Sequence, residues 1–526
     1  MSRSTLIRLR NQSLLSGNSS VVTATLLLLF LFASCGPSTE TIVVGGEARG
    51  PEVTDEEEAP EERETALPVL KIGEANRILS MDPLFALNTA TKRTVQIAYE
   101  GLVRFDQDDR IVPAAARRWD VSQDSLTWTF YLRRDLFFHD DESFAQGRGR
   151  RANARDVVRV FERMASRDVP SNAADLFMNI IQGFEPYFLE QREIFIARDR
   201  QVTSISGLRA TSDSTVVFRL LEPEPRFLAK LASPYAVIYP SEAFRFREDG
   251  LQRRAVGTGP YRHESTIGDS ILVFVRHANY YQHDDRGRRL PRPARVEVMN
   301  VNDEMRLLEH FRRGRLNVIP DAGPRTVDAL YGTDTDGNHR IVRLPNPDPV
   351  VLRFRTQNRF GLDRSDAASV IRHVTPERIA DAWVDPSLSI TFKEEEFGQT
   401  NIGRVFRRFG EDSDQRLVLA YNRDHLPRML GRVITESMDA NLRQELIQRR
   451  VFSSDIFLYL DYLQSFVPGA WHERHPGELL RIETDRFMVL DHNVDGIQTN
   501  SLNWWIDLRH VRRADSDRRT ASTDGR

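Results

Sequence analysis

Val256-Gly-Thr-Gly-Pro-Tyr261 opens the stretch that decides the fold, 256–319. The Gly/Pro turn feeds a strand-like run, Ile271-Leu-Val-Phe-Val-Arg276, and then an aromatic turn, Asn279-Tyr280-Tyr281. Ala294-Arg-Val-Glu-Val-Met299 alternates as a second strand. The spacing predicts a helix over 303–312, closed by Gly314. Arg315-Leu-Asn-Val-Ile319 reads as the strand that follows. The stretch is thus a strand pair leading into a strand–helix–strand unit. It contains no evident nucleophile, metal ligand or phosphate loop, so it offers shape rather than reaction chemistry.

Outward from this stretch, the chain has 526 residues and 40% hydrophobic content, enough for two or three domains with real cores. Its 73 basic and 76 acidic residues give a net charge of −3, so no global basic field argues for nucleic acid. The first 36 residues read as a targeting segment. Arg3, Arg8 and Arg10 precede an apolar run of twelve residues, 21–32. A spanning helix needs about 20, so a signal-peptide core fits better. Cys35 is the single cysteine, so no disulfide within the chain is possible. Residues 35–68 are acidic and poor in aromatics, which predicts a disordered tether. The polar tail 511–526 is expected to be disordered too.

Between these ends, strands alternate with helices. Strands are expected at 69–73, 102–105, 127–132, 215–220, 235–239, 350–355, 416–421, 456–460 and 487–490. Helices are expected at 91–99, with Gly101 as its cap, and from Asn153, where Asp156 favours the positive end. Further helices are expected at 227–231, 375–383, 427–438 and 441–450. The texture changes at Asp106. This pattern indicates α/β lobes.

Several ordered motifs resemble the extracellular solute-binding proteins of oligopeptide and dipeptide ABC importers. They are Tyr99-Glu-Gly-Leu102, the run from Pro113 through Trp119, Leu126-Thr-Trp-Thr-Phe-Tyr-Leu-Arg-Arg134, and Phe138-His-Asp140. Asn153-Ala-Arg-Asp-Val-Val158, Val256-Gly-Thr-Gly-Pro-Tyr261, Asn279-Tyr280-Tyr281 and Arg313-Gly-Arg-Leu-Asn-Val-Ile319 complete the set. The resemblance implies a two-lobed, periplasmic-binding-protein-like α/β fold of the class II type, with an additional inserted subdomain. It implies lobe I at 69–105, 207–305 and 486–510, the subdomain at 106–206, and lobe II at 306–485. Phe32-Ala-Ser-Cys35 is similar to a bacterial lipobox. That implies cleavage before Cys35 and lipidation of its thiol.

The second half departs from the family pattern, and the segment between Asp461 and Phe487 is short. Asp461 stands where peptide binders carry the carboxylate that pairs with the ligand's amino terminus. A buried ammonium needs such a partner. Tyr462, Asn88, Thr89 and Tyr261 are the other candidate ligand-binding residues. Asn88 and Thr89 would bond ligand backbone, while the tyrosines would line a pocket. Turn bonding and core packing are the competing readings for these four.

The implied function is a membrane-anchored, periplasmic or extracytoplasmic lipoprotein, monomeric, that passes peptides to ABC permease subunits. The alternatives are a non-peptide solute (a nickel chelate, an oligosaccharide or a signal molecule) or an accessory lipoprotein that has lost transport. Enzyme signals are poor, and neither a cofactor nor a metal is expected. In Trp471-His-Glu-Arg-His475 the histidines have the wrong spacing for a zinc helix. Asp334-Thr-Asp-Gly-Asn338 fits a hairpin turn better than a calcium loop.

Overall fold

The computed structural model describes residues 69–331, 338–346, 348–354 and 478–514, and the backbone of four strands between 389 and 462. The leader, Cys35, the acidic tether, the turn at 334–336 and the 471–475 motif lie outside the described residues, as do the helices expected at 375–383 and 427–438.

Lobe I is built on strand Val69–Glu74, where Leu70 and Ile72 are buried. It pairs in parallel with Arg295–Asn300 on one side and Val318–Ala322 on the other. The full sheet has seven strands, in the order 339–344, 486–491, 318–322, 69–74, 295–300, 271–276, 261–267. Helix Glu304–Arg312 connects two of the parallel strands and buries Leu307, Leu308 and Phe311. Asp303 caps it by accepting from the Arg306 amide at 2.8 Å. The last strand of 256–319 begins at Val318 rather than 315, and Tyr261–Ile267 adds a strand that apolar patterning did not reveal.

Gly257 and Gly259 are needed for closeness rather than for an unusual turn. A Cβ on Gly257 would lie 2.2 Å from the Ala98 carbonyl oxygen, and one on Gly259 2.5 Å from the Ala98 carbonyl carbon. The turn lies against the end of helix Thr89–Ala98 and is pinned there by the Gly259 amide donating to Ala98 O at 3.1 Å. That helix ends with Tyr99 in an extended conformation, and Gly101 instead bridges to Val237. The expected strand 235–239 is reduced to this one bridge.

The inserted subdomain carries an antiparallel sheet in the order 116–121, 127–132, 215–219, 208–212. Its last two strands extend the subdomain beyond the expected boundary at 206. Helix Ala154–Met164 covers the sheet, with Val157, Val160, Phe161 and Met164 buried. Phe161 meets Phe218 edge-on at 5.2 Å between ring centroids. The Asn153/Asp156 capping box is present as expected.

Lobe II is a six-stranded sheet in the order 389–392, 478–483, 350–354, 456–462, 417–421, 442–446. Strands 318–322 and 339–344 belong to the lobe I sheet, so lobe II begins after residue 344 and not at 306. Leu442–Leu446 is an edge strand parallel to Leu417–Tyr421, where helical spacing had predicted a helix. Sheet pairing overrides local propensity there. The chain crosses between the sheets twice, between 344 and 350 and between 483 and 486. An ion pair from Arg343 to Asp485 ties one crossing to the other. The C-terminus is ordered further than expected, since Arg512–Arg513 pairs with Val494–Asp495.

Candidate functional site

In parallel sheets, ligands bind outside the carboxyl ends of the strands. Glu74 and Asn300 end their strands, and Asp321 lies one residue from the end of the third. The parallel register brings these ends to one edge. Register also places that edge at the crossings, since Ala322 pairs with Phe487 and Leu344 with Arg486.

Arg93 organises this edge. Its Nε and Nη2 donate to the two Glu74 carboxylate oxygens, each at 2.7 Å. Nη2 also donates to Asp321 Oδ2 at 2.6 Å, and Nη1 to the Asn503 carbonyl at 2.9 Å. Burial would discharge Arg93, but Asp321 and Glu74 hold its pKa well above the usual value. Burial pushes the Glu74 carboxyl up, and Arg93 pulls it back. Two carboxylates thus share the Arg93 guanidinium. Asp321 is the accessible one of the two, with a side chain 22% exposed against 3% for Glu74. Arg486, directly after the second crossing, donates to the same Asn503 carbonyl at 2.8 Å. The hinge and the edge therefore share one acceptor.

Asn88 and Thr89 lie at this edge, but local bonds occupy them. Asn88 Oδ1 caps the helix by accepting from the Thr91 amide at 2.9 Å, while its Nδ2 donates to Arg77 O at 2.8 Å. The Thr89 hydroxyl accepts from Asn76 Nδ2 at 3.1 Å, and both Asn88 and Thr89 are buried. Leu87, just before them, is exposed.

Asp461 and Tyr462 lie inside strand Ile456–Tyr462, which continues past the expected end at 460. Their backbones pair with Val351 and Val350. Val350 is also level with Ile482, next to the second crossing. Register therefore brings the carboxyl end of this lobe II strand to the same hinge side as Glu74 and Asp321.

Tyr261 is elsewhere. It pairs with Arg276, and Val275 is level with Arg295 and hence with Val69, at the opposite edge of the lobe I sheet. It is buried, so it lines no surface between the lobes. Sequence reasoning missed Glu74, Arg93 and Asp321. The available signal was a carboxylate at or near the carboxyl end of an apolar strand, twice. Among the described residues no group of three or more His, Cys, Asp or Glu is placed to hold a metal, and no helix is long and apolar enough to cross a membrane.

Residues 110–365 match the bacterial extracellular solute-binding proteins, family 5 (middle region). That match takes in 256 of the chain's 526 residues, just under half. A relative, di/tripeptide-binding protein 1 of Pseudomonas aeruginosa, is 28% identical over 252 residues, which is 47% of this chain and 43% of the relative. The chain thus spans less than half the length of that curated relative. Among solved structures, the periplasmic binding protein DppA of Helicobacter pylori, in complex with the peptide STSA, superposes with a TM-score of 0.64 at 14% identity. The match covers 86% of this chain and 99% of that one. The murein tripeptide binding protein MppA of Escherichia coli gives 0.66 at 13% identity, with 86% and 99% covered. These matches establish the two-lobed fold of the family.

Proposed function

We propose that this protein is the solute-binding component of an ABC importer, which captures peptides between its two lobes and delivers them to permease subunits. The observation that carries the reading is the pair of crossings. Two sheets joined by two short, mutually tied segments form a hinge, and each sheet presents carboxylate-bearing strand ends to it. Ligand contacts on both lobes favour the closed state, to the extent that the ligand binds that state better. Asp461 pairs with the peptide's α-ammonium, and Tyr462 flanks it. The lobe I edge adds the partly exposed Asp321. Asn88 and Thr89 act by fixing the helix start and the exposed loop before it. Export and a lipid on Cys35 keep the protein on the extracytoplasmic side of a membrane, with the acidic segment as tether.

Mass spectrometry of the ligand that copurifies with the native protein tests the peptide assignment. Short peptides are expected; a nickel chelate, an oligosaccharide or another non-peptide solute would overturn it. Cys35→Ser is expected to move the protein from the membrane to the soluble fraction, and unchanged membrane association would contradict the anchor.

A further inference from the structure

The edge of lobe I opposite the candidate site contains a cavity of about 70 Å³. Its walls come from the end of helix 89–98 and the residues after it, from Pro260 and Tyr261, and from the segment 505–509. Ile97, Val103, Val237, Trp505 and Leu508 make most of the lining apolar. Three polar atoms that meet no partner among the described residues also belong to lining residues: Glu100 Oε2, Arg104 Nε and the Tyr261 hydroxyl. Tyr261 is 1% exposed and Glu100 7%.

Tyr280, Asp507 and Arg509 in these walls are paired. Tyr280 donates to Glu100 Oε1 at 2.6 Å, and Arg509 donates to the two oxygens of Asp507 at 2.9 and 2.5 Å. The charges facing the cavity are Glu100, Asp507, Arg104 and Arg509, two of each sign. A bare cation would meet two guanidinium groups, and a bare anion two carboxylates. The three open groups are an acceptor (Glu100 Oε2), a donor (Arg104 Nε) and a hydroxyl that does both. A neutral species that donates and accepts fits all three. A dry cavity would leave three buried polar atoms unsatisfied, which costs more than immobilising a few waters. At about 10–15 Å³ per water the space holds several.

We propose that this cavity holds a fixed cluster of water molecules bridging Glu100 Oε2, Arg104 Nε and the Tyr261 hydroxyl beside the 505–509 segment. The residues just before this segment include Asn503, whose carbonyl receives both Arg93 and Arg486.

A high-resolution crystal structure of the protein tests this directly, with parallel soaks in rubidium and bromide salts. Ordered waters within hydrogen-bonding distance of all three atoms, with no anomalous peak in the cavity, are expected. Tyr261→Phe removes only the hydroxyl; it should lose the adjacent water and lower Tm. Tyr235→Phe is the control, because it removes a hydroxyl already bonded to Ala86 O at 3.1 Å and should leave the cavity waters in place. A dry cavity, a rubidium or bromide peak inside it, or waters unchanged in Tyr261→Phe would overturn the proposal.

Discussion

At the scale of single residues, charge pairing explains most of what burial alone would forbid. Arg93 is buried yet holds its charge because two carboxylates and a carbonyl surround it. Asp321→Asn would remove the accessible carboxylate of the lobe I edge while leaving the bidentate Arg93–Glu74 pair intact. The expected result is weaker binding of peptides with cationic side chains, with neutral peptides unaffected; titration of both classes against the variant checks it. Asp461→Ala would leave a ligand ammonium without its partner. Losing one member of a desolvated charge pair costs about 2–5 kcal/mol, so affinity should fall by at least about 30-fold.

Asp141 offers a pH test. Burial opposes its charge, but hydrogen bonds from Ser143, Arg247 and Arg254 outweigh this and push the carboxyl down to about 2. Because the folded value lies below the unfolded one, the stabilisation is complete above the ordinary aspartate range. It is lost as pH falls through about 2. Denaturation midpoints from pH 5 to 2 should fall less steeply in Asp141→Asn than in the parent. Identical slopes would rule out this contribution.

At the scale of elements, alternation and caps were what could be read in advance. Strand 295–300 has Val296 and Val298 on its buried face, and helix 304–312 has both its cap and its apolar stripe. Strand 261–267 was hidden because only Tyr261 and His263 are buried in it, with exposed Ser265, Thr266 and Ile267 following. Segment 235–239 misled in the opposite direction: it is apolar because it is buried, not because it pairs. The carboxylates of the lobe I edge were illegible for a different reason. Glu74, Arg93 and Asp321 are far apart in sequence, and only the parallel register unites them. The resemblance to the family reached Asp461, whereas the local trace of Asp321, a carboxylate near the end of an apolar strand, does not show that it meets Arg93.

Two elements yield predictions. Asn88→Ala removes the cap of helix 89–98 and should cost about 0.5–2 kcal/mol in equilibrium unfolding. The turn at 256–261 is held by His139 and His277, which both bond the Gly259 carbonyl, at 3.0 and 3.1 Å. Burial keeps both rings neutral, with His139 well below the usual value and His277 at about 4. A folded value below the unfolded one means the unfolded chain binds protons first on acidification. Stability should therefore be full above the ordinary histidine range and decline as pH falls towards about 4. Thermal melts across that range check it, and a flat profile would contradict it.

At the scale of the whole molecule, the two crossings relate the lobes, and an ion pair links Arg343, just before the first crossing, to Asp485 in the second. Closure around a ligand should reduce the radius of gyration in small-angle scattering, and a saturating peptide that leaves it unchanged would argue against a closing hinge. The most direct measurement is isothermal titration calorimetry of residues 36–526 against a library of di- to pentapeptides, with Asp461→Ala alongside. The account predicts saturable binding of a subset of peptides and its loss in the variant. Absence of binding across the library, or binding that Asp461→Ala leaves unchanged, would contradict peptide capture at the hinge-side strand ends.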